Sequence, residues 1–338
     1  MATGTRTLPG EASHGSLALR PQLFPISRLP ELLESENLHA VFEFSQQTVI
    51  DPNDQRRVSI GLDSLSSEKQ VEAWCSAGPV SRGSQGRIHY TEDGEFLFGH
   101  VLVAEDASVG LAETVRSVYG EVLEFARSSA YPNLYRCWHY LPGINHIDLN
   151  LERYRAFCVG RHAALAGAQG FEQKLPAASA IGTHAPGLLV SFVAGRCKSL
   201  QIENPRQVSA FHYPSAYGPR SPLFSRAMWI DSQGYPRLYL SGTASILGHE
   251  SVHPGDLREQ IEETLRNMEA ILANVPASLF ESEVCLRVYI RNENHYRAIR
   301  KTLEARFGEG CSIVYLRGDI CRSELLLEIE GVFGASQY

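Results

Sequence analysis

The chain has 338 residues, with 31 Lys and Arg against 38 Asp and Glu, a formal net charge of −7. A hydrophobic fraction of 43% with 20% charged residues excludes a disordered chain, and an acidic balance with no block of Lys or Arg argues against nucleic acid as a partner. Seven cysteines without a CxxC pair suit reduced thiols better than a disulfide framework or a zinc ribbon, and no apolar run is long enough to span a bilayer.

No charged leader precedes an apolar run at the N-terminus, so a cytoplasmic protein without a membrane partner is expected. Residues 1–35 are punctuated by Gly, Ser and Pro and read as a loosely ordered segment. Arg87–Thr91 and Phe96–Val103 read as a hairpin around Asp93-Gly94. Leu111, Val115, Val118, Val122 and Phe125 then recur at helical spacing. Leu134 to Leu141 reads as a strand, Leu151 to Ala166 as a second helix, and Leu188 to Val193 as a closing strand. The order is ββαβαβ.

The same order returns in the second half. Ala227–Ile230 and Arg237–Leu240 flank the turn Asp231-Ser232-Gln233-Gly234. Leu257, Ile261, Leu265, Met268 and Leu272 mark an amphipathic helix, opened at Pro254-Gly255-Asp256 and stopped at Pro276. Val284 to Ile290 alternates as a strand, Tyr296 to Phe307 makes a helix ended near Gly308, and Ser312–Leu316 and Leu325–Val332 follow as strands. The expected fold is α+β, with two ββαβαβ lobes (36–200 and 201–338) and helices packed on one face of mixed sheets. The second lobe carries one strand more. A site in the cleft between the lobes follows from that plan.

Three features carry chemistry. His249-Glu250-Ser251-Val252-His253 matches HExxH, but Pro254-Gly255 follows at once, no third ligand is evident, and a zinc site needs both histidines on one sustained helix. Tyr154 and Arg161 lie two turns apart on a predicted helix and share a face with Cys158, while Tyr213 and Arg226 flank a Pro- and Gly-rich loop. A guanidinium binds a carboxylate bidentately and a tyrosine hydroxyl can complete its lone pairs, although spacing alone favours a snorkelling Arg and a loop-closing Tyr. Along Glu324 to Glu330, Leu325, Leu327 and Ile329 face one way, and Glu324, Leu326, Glu328 and Glu330 the other. Periodicity alone favours a solvated acidic face. The other reading puts Glu328 in a covered cleft, where desolvation makes it a proton donor. Cys321 reads as a buried inert thiol.

The run Tyr135-Arg136-Cys137-Trp138-His139-Tyr140-Leu141-Pro142-Gly143-Ile144-Asn145, with Leu151-Glu152-Arg153-Tyr154-Arg155, Ser241-Gly242-Thr243-Ala244-Ser245, Gly248-His249-Glu250 and Gly318-Asp319-Ile320-Cys321-Arg322, resembles the chorismatase family. The resemblance implies a fold related to RidA and the AroH-type chorismate mutases. It also implies chorismate as small-molecule substrate, pyruvate as one product, no metal or organic cofactor, and a homotrimer or a monomer. Its substrate-binding residues map onto Tyr154, Arg161, Tyr213 and Arg226, and its catalytic carboxylate onto Glu328. Gly242 and Cys321 match the small-residue-plus-cysteine combination of the branches that form hydroxybenzoate, here 3-hydroxybenzoate with 4-hydroxybenzoate as a second product. Two other readings stand beside it: a hydrolytic chorismatase giving a dihydroxycyclohexadiene carboxylate, and a RidA-like small-molecule-binding or imine-deaminating protein.

Overall fold

A computed structural model describes residues 19–334 except 107, 167–169, 233–234, 276–283 and 309–310. The two expected lobes are there, and they match more closely than the sequence suggests. The first runs through strands Ile88–Glu92 and Phe96–Val103, helix Leu111–Ser128, strand Asn133–Pro142, helix Arg153–Leu165, and strands Ala177–Thr183 and Leu188–Gly195. The second runs through strands Ala227–Ser232 and Tyr235–Thr243, helix Leu257–Leu272, strand Val284–Ile290, helix Tyr296–Phe307, and strands Cys311–Arg317 and Leu327–Gly334. The strand missing from the first-lobe reading is Ala177–Thr183. Its Ala-rich sequence holds only Ile181 and Thr183 as β-branched residues, and with all seven residues buried it shows no alternation.

Both lobes share one spatial order. Each sheet holds a single parallel pair, Asn133–Pro142 with Ala177–Thr183 and Val284–Ile290 with Cys311–Arg317, joined by a helical crossover. The helices cover one face of each sheet. In the first lobe Leu111, Val115, Val118, Val122 and Phe125 bury their stripe against Leu97, Val101, Val190 and Phe192; in the second, Ile261, Leu265 and Met268 meet Leu238, Leu240, Leu327 and Ile329. Asp256 caps the second-lobe helix, its side chain accepting from the Glu259 amide at 3.1 Å. That helix ends at Leu272, and Pro276, the expected stop, lies outside the described residues, as do Gln233 and Gly234 of the expected turn.

A third sheet stands outside the two-lobe expectation. Arg20–Pro25, Gln70–Cys75, Leu38–Ser45, Arg57–Gly61 and Val49–Ile50 form five strands in that spatial order. The loosely ordered segment expected through residue 35 is therefore ordered from Arg20, as a strand and then the helix Leu29–Glu34; residues 1–18 lie outside the described residues. The three sheets turn their helix-free faces toward one core, where Phe42 and Trp74 meet Phe98, Trp138 and Tyr140 and, from the second lobe, Tyr239 and Tyr289.

Edges tie the lobes together. Asp319–Ile320 adds to the first-lobe sheet beside Ile181–Gly182, and Asp63–Ser64 adds to the second-lobe sheet beside Leu316–Arg317. Strand Ala177–Thr183 faces the second-lobe hairpin, with Ala178 N–H donating to Ser241 Oγ at 2.8 Å. No helix among the described residues is long and apolar enough to cross a membrane.

Candidate active site

The cleft between the lobes opens into a cavity of about 280 Å³. Helix Arg153–Leu165, strand Ala177–Thr183, the 207–226 loop, the turn after Ile320 and the strand ends at Gly242 and Glu328 enclose it. All seven residues singled out from the sequence line it: Tyr154, Arg161, Tyr213, Arg226, Gly242, Cys321 and Glu328.

Strand Leu327–Gly334 delivers the carboxyl. Leu327 and Ile329 point into the helix-covered core, so period two turns Glu328 and Glu330 toward the first lobe. The acidic face is thus covered rather than solvated, with Glu328 5% and Glu330 2% exposed. Burial, reinforced by the neighbouring Glu330 charge and opposed by Arg136 and Arg291, pushes the Glu328 carboxyl up to about 8. At neutral pH it is mainly a protonated acid facing a cavity. Gly242 makes the room. The pairing of Tyr235–Thr243 with Leu327–Gly334 shifts register between Leu240 and Thr243, and a Cβ on Gly242 would stand 1.9 Å from Glu328 Oε1.

The two arginines are buried with donors to spare. Arg161, 3% exposed, lies over the Tyr119 ring at 4.9 Å, and its Nε and Nη2 have no hydrogen-bond partner. Arg226, 5% exposed, donates from Nη2 to Tyr213 Oη at 2.8 Å and to the Val208 carbonyl at 2.9 Å, leaving its Nε unpartnered. Because Tyr213 accepts from Arg226, its own hydroxyl proton is left for an occupant. Buried guanidinium N–H groups without partners are costly unless an anion completes them. The site is therefore suited to a small anionic ligand. Tyr154 shares the helix face with Arg161 and Cys158, as the spacing predicts.

Cys321 faces Glu328 and Cys158, and burial holds its thiol far above the usual range, as the sequence reading of an inert thiol requires. The HExxH segment forms a two-residue-per-strand hairpin, Ile246–Leu247 with Glu250–Ser251, with His253 at φ +60°, so its histidines never share a helix face. His249 Nδ1 instead meets Tyr217 Oη at 3.2 Å.

Three lining residues escaped the sequence reading. Ser179 Oγ accepts from Arg136 Nη2 at 2.6 Å and from Gly242 N–H at 2.9 Å. His139 donates from Nδ1 to the Ser179 carbonyl at 2.6 Å and accepts at Nε2 from the Tyr119 hydroxyl; burial and Arg161 keep it neutral. Arg322 lies 4.1 Å over the Tyr217 ring and donates to the His249 carbonyl at 2.9 Å, pinning the 207–226 loop against the hairpin. Arg322 and His139 fall inside the family-like motifs, but nothing local distinguishes Ser179.

Residues 72–194 match the family model Chorismatase FkbO/Hyg5-like, N-terminal. A chorismatase of Streptomyces hygroscopicus is 36% identical over 286 residues, covering 82% of this chain and 83% of that protein. A 3-hydroxybenzoate synthase of Streptomyces hygroscopicus is 35% identical over 297 residues, covering 81% and 84%. The crystal structure of a chorismatase superposes with a TM-score of 0.85 at 33% identity, covering 95% of this chain and all of that one.

Proposed function

The chain belongs to the chorismatase family, and from that premise we propose that it cleaves chorismate to 3-hydroxybenzoate and pyruvate, with Glu328 as the acid. The observation that carries the mechanism is the buried Glu328 carboxyl in one cavity with buried guanidinium N–H groups that have no partner. Chorismate brings two carboxylates to Arg161 with Tyr154 and to Arg226 with Tyr213. Glu328 gives its proton to the enolpyruvyl methylene carbon, and the resulting oxocarbenium ion is stabilised by the carboxylate left behind. The neighbouring ring hydroxyl attacks the ring carbon that carries the ether and returns a proton to the Glu328 carboxylate, while the ether C–O bond breaks and its electron pair becomes part of the pyruvate ketone. The ring epoxide so formed opens as a ring hydrogen moves from carbon to oxygen, which gives the hydroxybenzoate. Chorismate has the atoms of hydroxybenzoate plus pyruvate, so the route consumes no water.

The branch rests on Gly242 and Cys321, the two small groups beside the acid. They leave the ring close to Glu328 and line that end of the cavity with a neutral thiol in place of a water-binding group. Free thiols at all seven cysteines agree with a cytoplasmic setting.

One chromatogram tests the reaction: purified protein given chorismate should yield 3-hydroxybenzoate and pyruvate in equal amounts. A dihydroxycyclohexadiene carboxylate in its place would assign the hydrolytic branch, and no turnover would reject the proposal. Removing one partner of a desolvated ion pair costs roughly 2–5 kcal/mol. Arg161→Ala and Arg226→Ala should therefore each weaken a dicarboxylate inhibitor by about thirtyfold or more. Unchanged inhibitor affinity in both variants would remove the clamp.

A further inference from the structure

We infer that Ser179 is the hydrogen-bond donor that receives the Glu328 carboxylate once the acid has given up its proton. Donor and acceptor counts lead there. A hydroxyl has one proton and two lone pairs. Both Ser179 lone pairs are occupied, by Arg136 Nη2 at 2.6 Å and Gly242 N–H at 2.9 Å, and neither of those groups can accept. The hydroxyl proton must therefore go elsewhere, and Ser179 lines the cavity. Among the described residues no acceptor takes it, and no donor is hydrogen-bonded to Glu328.

The Ser179 hydroxyl and the Glu328 carboxyl flank the same missing side chain. A Cβ on Gly242 would stand 1.9 Å from Glu328 Oε1 and 3.1 Å from Ser179 Oγ. Ser179 and Glu328 are not bonded to each other in this structure, and the need arises only when the carboxyl loses its proton. A buried carboxylate without a donor is strongly disfavoured, and a neutral hydroxyl beside it is a direct remedy. Ser179 cannot swing away, because His139 holds its carbonyl and Gly242 its Oγ. The spare N–H groups of Arg161 and Arg226 serve the substrate carboxylates in the proposed reaction, on which this inference rests. Ser179 is thus a positioning residue for the acid, acting through Glu328.

The groups facing Glu328 frame the test. Glu330 lies on its own strand, Tyr289 is its cross-strand neighbour, Arg291 follows the end of that neighbouring strand, Arg136 acts from the first-lobe sheet, and Tyr154 and Cys321 face it across the cavity. In carboxyl-labelled full-length protein without substrate, NMR follows the Glu328 titration, assigned by its loss in Glu328→Gln. Ser179→Ala should tighten Glu328's hold on its proton by about tenfold, since a donor to the charged form is lost. Ser179→Cys, a weak donor of similar size, should shift it the same way, and Ser179→Thr should stay near wild type. With chorismate, kcat should fall more than KM changes in Ser179→Ala, and the alkaline limb of the rate profile should move to higher pH. A Glu328 titration unchanged in both Ser179→Ala and Ser179→Cys overturns the assignment. So does a shift seen in Tyr154→Phe and in neither Ser179 variant. If wild type fails to turn over chorismate the proposed function falls, while the titration still decides the role of Ser179.

Discussion

At Glu328, the feature that suits the side chain to proton donation also costs the fold stability. Its carboxyl sits near 8 in the folded chain against an ordinary value of 4.5. Below the ordinary value both folded and unfolded chains carry the proton, and no penalty exists. As pH rises from about 4.5 to about 8 the unfolded chain releases the proton first, so stability falls through that window by at most ~1.4 kcal/mol per pH unit. Glu328→Gln carries no such titration. Its melting temperature should exceed wild type by a margin that widens from pH 5 to pH 8, while turnover is abolished and inhibitor binding survives. A variant keeping a tenth of wild-type turnover would remove Glu328 as the acid. In wild type, kcat/KM should decline as pH passes about 8, because the deprotonated acid has nothing to give. Gly242 is tied to the same carboxyl. Adding a methyl there drives Glu328 Oε1 from its place, so Gly242→Ala should lose turnover by at least tenfold, and with Cys321→Ala should move product toward the dihydrodiol. Reaction in labelled water, with pyruvate trapped by rapid reduction, reads that switch independently.

Among the elements, helix Arg153–Leu165 has the most exacting placement. A Cβ on Gly160 would lie 2.1 Å from the Ala112 carbonyl oxygen and 2.9 Å from Val115 Cβ, so the two first-lobe helices cross in close backbone contact there. Arg161 is the next residue. Gly160→Ala must push the helices apart, at roughly 1–3 kcal/mol for overpacking, and shift Arg161 with them. The expected result is a lower melting temperature together with a raised KM. Asp256→Ala offers the contrast: losing that cap costs about 1 kcal/mol, and kcat should stay as in wild type because Asp256 does not line the cavity. Equal KM effects in the two variants would mean that Arg161 placement is insensitive to helix spacing. Much of this level was legible beforehand. The helix boundaries followed from apolar spacing and from Asp256, and the strands with one polar face were visible by alternation. The strands buried on both faces, Ala177–Thr183 and Leu38–Ser45, gave no such signal.

Across the whole molecule, buried charges join the three sheets beneath the site. Glu72 of the N-terminal sheet takes Arg287 bidentately at 2.6 and 2.7 Å, Arg287 reaches Tyr140 Oη at 2.5 Å, and Tyr140 meets Tyr289 Oη at 3.1 Å. Tyr289 and Trp138 donate to Glu330, whose other oxygen accepts from Arg136 at 2.5 Å, and Arg136 passes on to Ser179. Removing one partner leaves the other charged and unpaired, at about 3–5 kcal/mol, whereas replacing both can be neutral. Glu72→Gln should thus lower the denaturation midpoint markedly, and Glu72→Leu with Arg287→Met should recover most of the loss. Independent, additive losses in the double variant would show that the pair is not coupled.

Local sequence determined what local physics governs. Apolar spacing sets which face of a helix or strand is greasy, so both lobes and the helix face carrying Tyr154, Cys158 and Arg161 were readable in order. The family resemblance mapped site roles onto Tyr213, Arg226, Gly242, Cys321 and Glu328, which the cavity brings together. Alternation could place Glu328 and Glu330 on one face, yet it could not say what covers that face, and by itself it pointed to solvent. Only the tertiary structure supplied the cover: the first lobe, with its unrecognised strand Ala177–Thr183, and the N-terminal sheet whose Glu72 anchors the charges below. Burial by a distant segment leaves no periodic trace in the segment it buries, and a carboxyl's proton affinity depends on that burial.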